Sequence, residues 1–233
     1  MSDAQREAPH PRQLVKYSFY HVDRTFPFDD AEQARKELAE LLLEWRERLP
    51  MCRTYSTVGM RGECDVLVWS AAPTLEEVQA LESAIRRSAM GPALSMSHSF
   101  LAMTKRSPYE DRLEPERRRK LQVKPGRAKY LFVYPFVKTR AWYALPFDER
   151  QAMMDAHIEI GHGYPTVKLN TTYSFGLDDQ EFVVAFETDR PDHFLDLVMK
   201  LRETRASEFT LRDTPIFTCV AGEPADVLDS IGA

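Results

Sequence analysis

Cysteine is scarce in this chain. There are three in 233 residues, Cys52, Cys64 and Cys219, with no CxxC pair and no other metal-ligand spacing. A sparse, odd count of this kind carries no disulfide framework and no zinc signature, and it fits a reducing compartment. An excess of basic charge is missing too. Lys and Arg total 31 against 36 Asp and Glu, for a net charge of −5. No overall electrostatic attraction to nucleic acid follows from that balance. Long apolar runs are also absent, so no segment predicts a membrane span. The opening MSDAQREAPHPRQ is too polar for a secretory signal. These absences predict a cytoplasmic soluble protein.

What is present suits a globular fold. Hydrophobic residues make up 43% and charged residues 29%, enough to bury a sizeable core. Residues 1–12 read as a disordered tail. From 13 to 104 the pattern is strand, helix, two strands, helix, strand. LVKYSFYHVDRTF (14–26) alternates aromatic and polar residues, as a strand does. The helix over 29–49 has acidic residues first and basic residues last, which complements its dipole. Strands are expected over 53–59 and 64–71. A helix over 74–88 opens on Thr74 with Glu77 three residues on, a capping box. A strand over 93–104 closes the unit. Residues 105–128 form a charged linker. The stretch 129–222 then repeats the order: strand 129–137, helix 147–161, strands 166–176 and 181–188, helix 191–204, strand 208–220. Gly59 and Pro73 of the first half answer Gly176 and Pro191 of the second. An internal duplication is expected, each copy a ferredoxin-like βαββαβ unit. The fold class is therefore α+β, with antiparallel sheets and helices outside. Residues 223–233 read as a C-terminal tail.

Chemistry concentrates in the second half. In the helix over 147–161, Met153, Met154, His157, Ile158 and Ile160 place His157 on or beside an apolar stripe. Gly161 is expected to end that helix, with His162 beyond it and facing elsewhere. The two histidines then cannot serve one metal together. His157 alone is either a hydrogen-bonded core residue or an axial ligand to a haem iron, and periodicity does not separate the two. Upstream, Tyr134 and Lys138 are four apart on a strand, so they share a face. Trp142 and Tyr143 follow, either as core aromatics or as pocket residues.

Taken together, YPFVK (134–138), the pattern WYALP.DER...M..H...G..Y (142–164) and the turn GLDD (176–179) resemble the chlorite dismutase-like haem proteins. Within that family the chain looks most like the coproheme decarboxylases, which use peroxide to make haem. The resemblance implies an iron porphyrin, coproheme III as substrate and haem b as product, with hydrogen peroxide as co-substrate. It implies a duplicated ferredoxin-like barrel and a homopentamer. By the same resemblance His157 is the iron ligand, Tyr134 the reactive tyrosine and Lys138 the lysine beside a reacting propionate. Trp142 lies near the porphyrin. Arg202 and Ser207 bind a propionate, as does Lys120 where the family has arginine. Chlorite dismutases carry a distal arginine seven residues before the glycine of GLDD. Here Leu169 stands there, with Asn170 beside it. Leucine cannot hold a chlorite anion, so Leu169 and Tyr134 together argue against chlorite chemistry. Leu169 also leaves the distal side short of a polar group, which keeps a haem peroxidase without decarboxylation, or a non-enzymatic haem carrier or sensor, as alternatives.

Overall fold

The computed structural model describes residues 12–110, 122–123 and 125–232. The expected order holds, with additions. The first half runs β1 (Leu14–Val22), α1 (Ala31–Arg48), β2 (Met51–Ser56), β3 (Val66–Ala72), α2 (Leu75–Arg87), β4 (Leu94–Met103). The second runs β5 (Tyr130–Lys138), α3 (Arg140–Ala144), α4 (Phe147–His162), β6 (Lys168–Tyr173), β7 (Phe182–Thr188), α5 (Pro191–Arg202), β8 (Thr210–Arg212), β9 (Phe217–Gly222) and α6 (Pro224–Asp229).

Local chemistry explains the boundaries. Asp30 caps α1 by accepting from the Gln33 N–H at 2.9 Å, and Thr74 caps α2 by accepting from Glu77 N–H at 3.2 Å. Each cap satisfies a donor that the first helical turn leaves without a partner. Gly59 and Gly176, the pair matched by sequence, both have left-handed φ, +76° and +73°. Glycine adopts that conformation without the Cβ clash other residues meet. The same turn is thus built twice.

The strands run β7-β6-β4-β1-β3-β2-β9-β5-β8, and β5 pairs back onto β7. The sheet therefore closes into a barrel, with β8 appended to the end of β5. The halves are stitched at two seams, β4 to β6 through Met103↔Tyr173 and β2 to β9 through Thr54↔Gly222. Closure removes sheet edges. Strand alternation then sorts the residues. Tyr17, Phe19, Trp69, Leu131, Val133, Val183, Ala185 and Phe217 pack inside the barrel. Phe19 stacks on Phe217 with centroids 4.0 Å apart, and Tyr17 on Trp69 at 5.6 Å. Residues of opposite parity face outward against helices.

Three expectations change. The strand expected over 208–220 is broken into β8 and β9, because Pro215 has no N–H for a ladder; residues 205–209 before it form a 3-10 turn. The tail expected over 223–233 holds a docked helix instead. Val227, Leu228 and Ile231 are buried in one cluster with Leu38, Leu42 and Trp45 of α1. The charged linker is not wholly solvated: Val123 is buried and its N–H donates to Gln13 Oε1 at 3.0 Å. Leu228 is 1% exposed, so Leu228→Ala is expected to cost about 2–5 kcal/mol for a buried leucine cavity. Urea unfolding checks this; a loss within about 0.5 kcal/mol would mean α6 adds nothing.

Candidate functional site

The outer face of β5, β7 and β6 forms the site's floor. Ladder register lines up three cross-strand rows on that face: Phe132–Phe186–Leu169, Tyr134–Val184–Thr171 and Phe136–Phe182–Tyr173. Tyr134 is buried and lies stacked on Phe186, with centroids 6.0 Å apart and planes 18° from parallel. Phe194 of α5 stacks on Phe132 at 4.1 Å, covering one side. Ile160 of α4, Tyr164 and Val167 pack against the same cluster as Tyr134 and Leu169.

Strand parity decides what Leu169 and Asn170 can do. Leu169 belongs to this outer apolar cluster. Asn170 points into the barrel, where its Nδ2 donates to Glu187 Oε1 at 2.7 Å, and Glu187 is itself buried. Asn170 therefore does not face the floor.

Helix α4 stands over this region and presents His157, half-buried. Met153, His157 and Ile160 recur at four and three residues, one stripe of a helix. Met153 packs on Trp142 and Ala206, and Ile160 on the Tyr134 face, so the stripe looks toward the site. The expected stop at Gly161 is corrected. The helix continues to His162, and the Gly163 N–H closes it by donating to the carbonyls of Glu159, Ile160 and Gly161. His162 is exposed and sits about 140° around the axis from His157. Different directions hold, for this reason rather than for a helix end between them.

The polar residues gather where β5 ends. A register shift falls between Val137 and Lys138. The Lys138 side chain stays with the Tyr134 face: Nζ lies 5.3 Å from the Phe136 ring and 4.7 Å from the Trp142 ring, and donates to Ala206 O at 2.6 Å. Burial pulls the Lys138 ammonium down to about 8, and the Glu181 carboxylate opposes that shift. Burial raises the Tyr134 phenol, as does Asp213, while Arg202 lowers it; the net shift is upward. The phenol thus keeps its proton at neutral pH. Arg202 pairs with Asp213, and Ser207 Oγ donates to the Arg202 carbonyl at 2.6 Å. Trp142 is buried against Met153 and Ala206. The fold thus brings Lys138, Trp142, Arg202 and Ser207 to the end of β5, with Tyr134 and Leu169 on the floor beside them. Lys120 lies outside the described residues. Sequence reasoning missed Glu181 and Asp213: both fall inside the strands expected over 181–188 and 208–220, and both lie just outside the strands that form.

A metal here would have few protein ligands. Among the described residues no group of three or more His, Cys, Asp or Glu could hold an ion. One imidazole over an aromatic and aliphatic floor, with cations at its margin, fits a metal whose other ligands come from an apolar macrocycle with anionic side chains. The residues present therefore fit an iron porphyrin. Among the described residues no helix is long and apolar enough to cross a membrane.

Comparison with known proteins agrees with this fold. A chlorite dismutase family model matches residues 31–222. The coproheme decarboxylase of Mycolicibacterium smegmatis is 30% identical over 209 residues, covering 88% of this chain and 89% of that protein. The coproheme decarboxylase of Thermus thermophilus is 30% identical over 188 residues, 76% of this chain and 75% of its own. Among solved structures, a protein described as a novel heme-binding protein from Thermus thermophilus superposes with a TM-score of 0.85 at 27% identity, over 98% of this chain and 100% of the other. A chlorite dismutase variant from Candidatus Nitrospira defluvii gives a TM-score of 0.85 at 24% identity, over 95% of both chains, which speaks to the fold.

Proposed function

This chain belongs to the chlorite dismutase family, and on that premise we propose that it decarboxylates the propionates of ferric coproheme III with hydrogen peroxide, giving haem b. The observation that carries the reading is the shared face of Tyr134 and Lys138. A buried, protonated phenol within an apolar floor and a cation at its edge form a pairing suited to a substrate with an apolar ring and a carboxylate arm. Two relatives at 30% identity carry the name coproheme decarboxylase.

Each propionate, a CH2CH2COO− arm, becomes a vinyl and carbon dioxide, while one peroxide and one proton become two waters. When bound, the iron porphyrin supplies the redox chemistry with peroxide. The chain's residues do the rest. His157 would hold the iron through one ring nitrogen. Lys138, Arg202, Ser207 and Lys120 would hold propionates by charged hydrogen bonds. Tyr134 would pass its phenolic hydrogen, as a proton and an electron, to the oxidising equivalents that peroxide supplies and regain a hydrogen atom from the β-carbon of the propionate. The substrate's second electron would follow to the same oxidant as carbon dioxide leaves, and peroxide ends as water. Trp142 is buried beside the Lys138 ammonium, its ring centroid 4.7 Å from the nitrogen.

Leu169 favours one rival, a haem peroxidase that does not decarboxylate, because leucine offers peroxide no hydrogen bond. It disfavours chlorite chemistry more strongly. A fixed cation at a developing anion commonly contributes about 3–4 kcal/mol, and Leu169 supplies none. Coproheme-loaded protein is expected to convert its porphyrin with peroxide and to evolve no sustained oxygen from chlorite. An oxygen electrode and porphyrin chromatography read both. Steady oxygen evolution would exclude this reading, and peroxide consumption with an unchanged porphyrin would favour the peroxidase.

A further inference from the structure

Glu181 stands just before β7, is 9% exposed, and has no part in the function proposed above. One of its oxygens, Oε2, accepts two hydrogen bonds, from the Lys138 backbone N–H at 2.8 Å and from the Tyr143 O–H at 2.6 Å. Its own backbone is fixed on both sides, its N–H donating to Phe136 O and its carbonyl accepting from the Ser174 N–H. The carboxylate thus ties the end of β5, the start of β7 and helix α3 at the register shift between Val137 and Lys138. The extra residue at that shift is Leu211 of β8, so β5 keeps its alternation and Lys138 stays on the Tyr134 face.

We propose that Glu181 is the positioning residue for Lys138: its carboxylate fixes the strand end from which the ammonium projects and supplies the negative charge that keeps it protonated for a ligand carboxylate. The surrounding charges support this assignment. Glu181 is the charged group that acts on Lys138. Arg140 acts on Tyr143, and Arg202 and Asp213 act on Tyr134. Tyr143 keeps its proton, because burial and Glu181 both raise it, so it remains a donor to Glu181 at neutral pH. Lys138 carries charge below a midpoint of about 8 and loses it above. Its contact with a carboxylate is accordingly complete at low pH and fades as pH rises through that value. Removing the Glu181 charge should move the loss to lower pH.

The carboxylate-binding role of Lys138 rests on the proposed function, so the first measurement needs no porphyrin. The full chain is reductively 13C-methylated and its lysine resonances are followed against pH by NMR, with Lys138 assigned as the signal lost in Lys138→Arg. A midpoint near 8 is expected, lowered by about 0.5–1 unit in Glu181→Gln and by less in the milder Glu181→Asp. A midpoint that moves in neither folded variant overturns the proposal. The second measurement is coproheme affinity against pH. Affinity is expected to fall through the Lys138 midpoint, earlier in Glu181→Gln, with the pH dependence gone in Lys138→Met. A midpoint that moves while coproheme affinity stays flat would leave Glu181 acting on Lys138 and sink the propionate contact instead.

Discussion

Tyr134→Phe is expected to fold, to take up coproheme and to consume peroxide, yet to form no mono- or divinyl porphyrin. The side chain is buried on the outer face of β5 and stacked on Phe186. Phenylalanine keeps that stacking and nearly the same volume, so stability should change by no more than about 1 kcal/mol. What disappears is the O–H. The hydroxyl lies in the field of Arg202 and Asp213, near where a propionate would be held, and burial keeps its proton in place until the reaction needs it. Porphyrin products separated by chromatography, together with the melting temperature, decide the matter. Normal haem formation by a folded Tyr134→Phe would remove Tyr134 from the mechanism and leave the fold and the iron ligand untouched.

His157→Ala is expected to abolish the histidine-ligated spectrum of the coproheme complex, and added imidazole should restore much of it. His162→Ala should leave the spectrum unchanged and alter stability by no more than about 0.5 kcal/mol, as exposed substitutions usually do. The difference is geometric. His157 shares a stripe with Met153 and Ile160, which pack on the site, whereas His162 is exposed on another side of α4. Absorption spectra of the two variants with coproheme read this directly. Loss of the spectrum in His162→Ala with retention in His157→Ala would reverse the assignment.

Much of this arrangement was legible before any coordinates, because it depends on short periods. A two-residue alternation puts Tyr134 and Lys138 on one face of β5, whereas the separation of His157 from His162 is expected from a helix end at Gly161 and comes instead from the 3.6-residue period of a helix that runs on to His162. Gly59 and Gly176 mark one turn made twice, and both adopt left-handed φ. Other features depend on tertiary closure. Leu169 and Asn170 are neighbours in sequence, and only the pairing of β6 with β7 sends one to the site and the other to Glu187 inside the barrel. Glu181 and Asp213 belong to strands expected from the sequence but lie just outside the strands that form, so the expected alternation does not place them. Helix α6 spans Pro224–Asp229, too few residues to show an amphipathic repeat, and its burial follows from the apolar face of α1 that it covers. The break between β8 and β9 is a partial exception, since Pro215 is visible in the sequence and argues against a continuous strand.

The most direct test of the central claim is the mass of the porphyrin recovered after purified protein, loaded with ferric coproheme III, is titrated with hydrogen peroxide. The expected result is stepwise conversion, first to a monovinyl and then to a divinyl porphyrin with the mass of haem b, with one carbon dioxide released and one peroxide consumed at each step. Recovery of coproheme at its original mass, or of bleached porphyrin alone, would contradict it.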